Sequence, residues 1–250
     1  MNRLIRAEAL KLRSTRSACV AAVGVLALIA IAAAAVSAAA SFHPGDHPGR
    51  DALGLTGIAQ TFALLLGVTA VTSEFRHGTI TAALLITPRR TPLLTAKLAN
   101  LALAGLAFGL VAFTAAAAIA LPILSQRGIA SQLDPGNVAG IIAGGAVATA
   151  LFAALGVGVG TIVRNQVAAI ITALGFLYAV EPILTFIPAV GDAVQNYGLG
   201  GLSSGASGTT AFQPNLHTLG QAPALLVLAA YALVVLLAGT ALFGRRDVSG

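Results

Sequence analysis

Six long apolar runs constrain this chain more than any other feature of its sequence. Each has about 20 residues or more, which is enough for a helix to cross a hydrocarbon core about 30 Å thick. Because lipid offers no hydrogen-bond partners to the backbone, each run is predicted to be a helix. The predicted spans are Ala18–Ala40, Leu53–Ser73, Leu93–Leu124, Val138–Val163, Val167–Ile187 and Ala222–Phe243.

The composition leads to the same fold class. Hydrophobic residues make up 57% of the 250 residues, charged residues only 9%, and the mean hydropathy is +0.91. Soluble domains carry roughly 25% charged residues, so this chain has too little charge to cover a water-facing surface. We therefore predict one all-α integral membrane domain over residues 1–250. Cys19 is the single cysteine, so no disulfide forms within the chain.

Lysine and arginine are distributed unevenly between the two sides of the predicted membrane. If the N-terminus is inside, twelve basic residues face the cytoplasm, and only Arg50 and Arg127 face outward. Such a bias is typical of cytoplasmic loops and predicts that both termini are cytoplasmic. It also explains the net charge of +6 without a nucleic-acid partner. A cleaved signal peptide is the other interpretation of the N-terminus, but the first apolar run is longer than the usual h-region of about 7–15 residues.

Two segments outside the spans have their own predicted structure. Residues 1–17 place apolar and basic side chains on different helical faces, which favours an interfacial helix on the cytoplasmic leaflet over a disordered basic tail. Residues 189–221 form a long outer loop with a Gly/Ser-rich centre, a composition typical of flexible segments. Tyr197, Leu199 and Leu202 nevertheless allow a short helix that dips into the interface.

Several polar or glycine-rich patterns are candidate sites. His43, Asp46, His47 and Asp51 have metal-binding side chains, but the neighbouring Pro and Gly residues exclude a regular helix, so we interpret them as a turn and predict no metal site. Small residues spaced by four permit close helix approach in membranes. On that basis we assign a helix-packing role to Gly140, Gly144, Gly156 and Gly160.

Glu181 is the acid that stands inside a predicted span, six residues before its end. An ionisable residue within the membrane is by default a candidate functional residue, and Pro182 after it frees a backbone carbonyl. Glu181 is therefore predicted to line a translocation path. An acid that reaches the outer interface, or that pairs with a neighbouring helix, is the structural alternative.

The sequence contains no catalytic constellation and no phosphate-binding loop of the G-x-x-x-x-G-K-[ST] type. We therefore expect neither enzymatic activity nor ATP binding by this chain itself. A transporter driven by an ion gradient is one alternative, although its ion site would need intramembrane polar groups beyond Glu181. A membrane anchor that recruits an ATPase without transport is another.

The polar segment between the second and third spans is the most specific part of the sequence. It reads "SEFRHGTITAALLITPRRTPLLTAKL" and contains Thr-Pro pairs that fit an N-cap followed by proline at the first helical position. This segment resembles the one after the second span in bacterial ABC-2 type transporter permeases. The matching residues are Glu74, Arg76, Gly78, Thr79, Leu84, Leu85, Thr87, Pro88, Arg90 and Lys97.

The resemblance implies a half-permease that pairs with a second permease subunit, identical or related, and with two copies of a separate ABC ATPase. Residues 74–91 would hold the cytoplasmic coupling helix, residues 1–17 the interfacial helix and residues 189–221 short re-entrant helices at the outer mouth. ATP and Mg²⁺ would bind to the ATPase. The residues expected at the ATPase-coupling interface are Glu74, Phe75, Arg76, His77, Thr79, Ile80 and Leu84.

The resemblance also implies export across the bacterial cytoplasmic membrane. The apolar composition suits a hydrophobic or amphipathic substrate, such as a lipid or a drug.

Overall fold

The computed structural model describes residues 16–43, 46–78, 90–209 and 219–245. These residues are helical with short connections, and they contain no strand. A 3-10 turn at Gly54–Thr56 and a π-helical turn at Phe176–Val180 accompany the α-helices. The helices are α1 (Arg16–Ala39), α2 (Pro48–Ala52), α3 (Gly57–Arg76), α4 (Arg90–Gln126), α5 (Pro135–Ile162), α6 (Gln166–Gly175), α7 (Glu181–Thr185), α8 (Gly191–Tyr197), α9 (Leu199–Ser207) and α10 (Gln221–Arg245).

The prediction of an all-helical protein with six spans is confirmed. Within the described residues, six segments are long and apolar enough to cross a membrane: Arg16–Ala39, Pro48–Arg76, Leu94–Gln126, Pro135–Ile162, Gln166–Thr185 and Gln221–Leu242. Helix α4 has 37 residues, or about 55 Å at 1.5 Å per residue. It is therefore longer than the hydrocarbon core.

The basic residues group at the ends of the bundle. Arg76, Lys97 and Arg164 lie together where α3 ends, α4 begins and α5 ends; we name this the basic end. Arg127 at the other end donates hydrogen bonds to the carbonyl oxygens of Ser37 and Ala40, at 2.8 and 3.0 Å. These contacts place the ends of α1 and α4 side by side at what we name the opposite end.

Helix α5 lies at the centre of the bundle and packs against α3, α4, α9 and α10. Its small residues make this possible. A Cβ atom added at Gly156 would overlap the carbonyl oxygen of Leu64 in α3, and one at Gly160 would lie 2.9 Å from the carbonyl oxygen of Val68. Gly144 faces Gln221 and Ala206, and Gly140 lies nearest to Gln221. Three of these glycines thus sit in close contacts within the subunit, and Gly140 sits in an ordinary one.

The fifth span is broken into three pieces. Helix α6 passes into the π-helical turn, and α7 then begins at Glu181 with Pro182 in its first turn. Proline has no N–H to donate and clashes with the preceding turn, which accounts for the wider turn before it. The break sets Glu181 at the start of a new helical segment.

The Gly/Ser-rich part of the outer loop forms helix α9. Leu202 and Ala206 are fully buried there, among α5 and α10. Gly201 and Gly205 approach the carbonyl oxygens of Gln195 and Leu219 so closely that a side chain at either position would clash. Small residues therefore serve close packing here. In helix α8, in contrast, Gly191 is the one buried residue.

Candidate functional site

An ion pair joins α3 to α4 at the basic end. The Lys97 ammonium lies 2.8 Å from Glu74 Oε1 and also donates to the carbonyl oxygen of Ala70 at 3.1 Å. The Lys97 side chain is 5% exposed and the Glu74 side chain 12%. A charge-assisted hydrogen bond with this little exposure is stronger than a surface ion pair. It fixes the direction in which the chain leaves α3.

The end of α3 also contacts the turn between α5 and α6. The guanidinium of Arg164 lies 5.3 Å from the centre of the Phe75 ring, within cation–π range. Its Nε and Nη2 atoms are buried and have no hydrogen-bond partner in the described part of the chain. Beside it, Arg76 Nη1 lies 3.4 Å from Gln166 Oε1. The end of α3 therefore contacts both the turn that follows α5 and the first residue of α6.

Helix α3 ends in a turn that requires glycine. Gly78 has a φ of +65°, a left-handed conformation that glycine adopts without strain. His77 and Gly78 donate their backbone N–H groups to the carbonyl oxygens of Ser73 and Phe75. Arg76 and His77 are exposed at this end, so they are available to a partner.

The structure brings together four of the seven residues predicted for the ATPase-coupling interface. Glu74, Phe75, Arg76 and His77 form the last turn of α3 and the residue after it. The others, Thr79, Ile80 and Leu84, lie outside the described residues, as does the whole of residues 79–89 of the predicted coupling segment. Residues 1–15 of the predicted interfacial helix also lie outside them.

The side chain of Glu181, the first residue of α7, contacts the N-terminus of α9. It is 6% exposed, and its Oε1 atom accepts a hydrogen bond from the backbone N–H of Gly200 at 2.7 Å. The N–H groups of Leu199 and Gly201 also point to its carboxylate. The N-terminus of a helix carries partial positive charge. The first backbone N–H groups of α9 have no partner within the helix, and they stabilise this carboxylate. Sequence reasoning identified the acid but not this partner.

Two further contacts tie the same region together. The Ser203 hydroxyl of α9 donates to Oε1 of Gln60 in α3, and the hydroxyl groups of Thr61 and Tyr178 lie 2.9 Å apart. Gln60 is 1% exposed. Helix α9 is therefore joined to the second span through Gln60 and to the fifth span through Glu181.

The acidic residues near His43 and His47 hold local turns. The His43 N–H donates to Asp46 at 2.6 Å, and the His47 N–H donates to Asp51 at 3.2 Å. The contact of His43 fits the interpretation of a turn, with residues 44–45 outside the described part. Asp51, however, lies in the short helix α2, which begins at Pro48, so the prediction that Pro and Gly exclude a helix is wrong for Pro48–Ala52. Within the described ranges, no cluster of three or more His, Cys, Asp or Glu side chains is arranged to hold a metal ion.

Comparison with protein families matches residues 4–181 to the family described as "ABC-2 family transporter protein". A comparison with curated proteins found no match. Members of the family are membrane-spanning permease subunits of ABC transporters and generally work with an ABC ATPase. The match covers more than half of the chain, including the first four of the six candidate spans in the described residues and most of the fifth. This multi-pass membrane protein therefore belongs to the ABC-2 family of transporter proteins.

Proposed function

We propose that this chain is the permease subunit of an ATP-driven exporter that moves a hydrophobic or amphipathic substrate across the bacterial cytoplasmic membrane. Two permease subunits, identical or related, work with two copies of a separate ATPase, which binds ATP and Mg²⁺. The observation that carries the proposal is the family match together with the rigidly held end of α3. The basic end faces the cytoplasm, because twelve of the fourteen basic residues fall on that side.

The ATPase docks at the basic end, on the last turn of α3 and the residues up to Thr87. Arg76 and His77 are exposed there and supply polar contacts. Ile80 and Leu84 are the apolar anchors of a helix that binds in a groove. Phe75 is half-buried against Arg164 and supports this surface from within the permease.

Helix α3 carries movement from the ATPase to the opposite end. It runs from Gly57 to Arg76 over 20 residues, or about 30 Å. Its tight contact with Gly156 and Gly160 makes α3 and α5 move as one body. A shift of the basic end therefore reaches Gln60 and, through Ser203, helix α9. The two membrane states would differ in how α9 and Glu181 close the translocation path.

A charge reversal at the basic end tests the docking surface. Arg76→Glu with His77→Glu places two carboxylates at the end of α3, and the matched control, Ser125→Glu with Gln126→Glu, places two at the exposed end of α4. The candidate partners are ATPases with a phosphate-binding loop, beginning with any that is encoded next to this chain. Loss of complementary charge at an interface weakens binding, so we expect at least about tenfold less ATPase to co-purify with the first variant.

Both variants should insert into the membrane and form the same oligomer as the wild type. Equal retention of the ATPase by the two variants would exclude the end of α3 as its docking site. Retention of the ATPase without ATP-dependent transport in vesicles would instead support an anchor that recruits an ATPase.

A further inference from the structure

A cavity lies at the opposite end of the bundle, among four helices. Its volume is about 720 Å³, within the range of about 300–1,000 Å³ that is typical of small-molecule sites. The first residues of α5 and α10, the helix α2 and the end of α9 surround it. The long polar side chains that line it belong to His47, Arg50, Gln132, Asn137 and Gln221, and we name it the polar cavity.

The polar cavity lies at the level of the lipid headgroups. Two candidate spans, Pro135–Ile162 and Gln221–Leu242, begin beside it, and the headgroup layer adjoins the ends of spanning helices. His47, Gln132 and Asn137 are exposed, so the cavity is open to its surroundings. A group that enters it comes from the headgroup layer or from water, and the group must be polar to match the lining.

Arg50 supplies the positive charge of the cavity and is held in place. Its Nη1 atom donates a hydrogen bond to the carbonyl oxygen of Gly208 at 3.1 Å. Next to it, the N–H of Gly49 donates to the carbonyl oxygen of Ser131 at 3.1 Å, and a side chain at Gly49 would overlap that oxygen. Within the described ranges Arg50 makes this one side-chain hydrogen bond. Its other N–H groups are therefore available to a ligand.

The charges around the cavity favour an anion. No aspartate or glutamate of the described residues lines it. Asp134 is near in the chain, but its carboxylate caps α5 by accepting the N–H of Asn137 at 2.7 Å. Helix α10 has no acid in its first turn, so its N-terminus adds partial positive charge at Gln221. A guanidinium pairs with a phosphate or a carboxylate through two parallel hydrogen bonds.

The position of Arg50 also sets it apart from the other basic residues. Arg50 and Arg127 are the two that the charge distribution predicts on the outer side. Arg127 uses its guanidinium to bind the carbonyl oxygens of Ser37 and Ala40 and so joins α1 to α4. Arg50 makes a single contact of this kind and faces a cavity. Binding of an anion gives this charge a role that its one contact with α9 leaves open.

We propose that the polar cavity binds the anionic headgroup of an amphiphile, with Arg50 paired to its phosphate or carboxylate. A free phosphate ion would fill only a small part of the cavity, whereas a headgroup with further polar atoms also reaches the side-chain amide of Asn137. The site goes beyond the proposed function, since it requires neither ATP nor the ATPase. A membrane lipid and a transported amphiphile can present the same headgroup chemistry, and the experiment separates these two sources.

The test uses the full-length chain in phosphatidylcholine nanodiscs that contain a phosphatidylglycerol analogue with a diazirine in its headgroup. After illumination, the adduct is quantified on peptides that contain residues 46–52 and 132–141. The competitors are phosphatidylglycerol and a neutral galactosyl diacylglycerol with the same acyl chains. We expect phosphatidylglycerol to suppress labelling at about tenfold lower mole fraction, because the neutral lipid lacks the charge-assisted pair with Arg50. Equal competition by the two lipids would overturn the proposal.

Substitutions locate the site. Arg50→Gln removes the charge from the cavity, so labelling should fall about tenfold. Arg127→Gln is the matched control, because it removes one charge at the same end of the bundle but outside the cavity lining. Unchanged labelling of Arg50→Gln, or an equal loss in both variants, would contradict the proposal. The competition series uses the wild-type protein, so it decides the question even if Arg50→Gln fails to fold.

Two further arms identify the occupant. Inorganic phosphate that suppresses labelling as well as phosphatidylglycerol does would make a free anion the occupant and overturn the headgroup. With the ATPase and ATP present, slower transport of the same analogue by Arg50→Gln would assign the headgroup to a transported amphiphile. Unchanged transport would assign it to a membrane lipid, and either result supports the site. Selective labelling without any ATP-driven transport would sink the proposed function and leave the site standing.

Discussion

Glu74 and Lys97 hold the basic end of α3 in place, and their pairing is testable one residue at a time. Glu74→Gln or Lys97→Met removes this ion pair and leaves the other charge in a largely buried position. Loss of one member of a buried pair costs about 3–5 kcal/mol. We expect each single variant to have a clearly lower Tm in the same detergent. The exchange Glu74→Lys with Lys97→Glu should recover part of the loss, because it restores the pair but not the contact with Ala70. An exchange variant no more stable than the single variants would show that the ion pair does not stabilise the fold.

Individual residues were recognisable from the sequence, but their partners were not. Glu181 stood out because an acid within a span is rare. Its partner, the N-terminus of α9, lies 18 residues further on, in a segment whose Gly/Ser content suggests flexibility. The same holds for Arg164. Its charge predicts only the side of the membrane on which it lies, whereas its position over the Phe75 ring depends on how α5 packs against α3.

At the scale of elements, the contact between α3 and α5 depends on the absence of side chains. Gly156→Ala would place a Cβ atom against the Leu64 carbonyl oxygen and 3.0 Å from the Val68 nitrogen. Overpacking of a tight contact costs typically about 1–3 kcal/mol, so the Tm and the yield of folded protein should fall. Gly24→Ala is the matched control in α1, where an added Cβ has no neighbour within 4 Å. The control should be as stable as the wild type or slightly more so. Equal Tm values for the two variants would contradict the packing described for α5.

The helices that could be predicted from the sequence are those that a single physical requirement determines. Apolar runs must be helical in lipid, and all six were located within a few residues of their bounds in the structure. The interruption of the fifth span was signalled only by Pro182, whose effect on the preceding turn depends on local packing. Helix α9 was harder to predict, because its glycines stabilise it through close backbone contacts that form only in the folded protein.

At the scale of the whole molecule, the distribution of the basic residues predicts the orientation in the membrane. His77→Cys and Gln126→Cys, each in a Cys19→Ser background, place one exposed thiol at each end of the bundle. An impermeant thiol reagent added to intact cells should label the cysteine at 126 and leave the one at 77 unlabelled until the membrane is opened. The reverse pattern would invert the orientation and remove the basic end as an ATPase site.

The central claim is that a separate ATPase binds at the basic end of α3, and photo-crosslinking tests it most directly. A photoreactive phenylalanine analogue is introduced at His77 or, as the control, at Gln126. The permease and the candidate ATPase are then co-expressed and illuminated in cells. We expect an adduct between permease and ATPase from position 77 and none from position 126. No adduct from position 77, or equal yields from both positions, would contradict the proposed coupling.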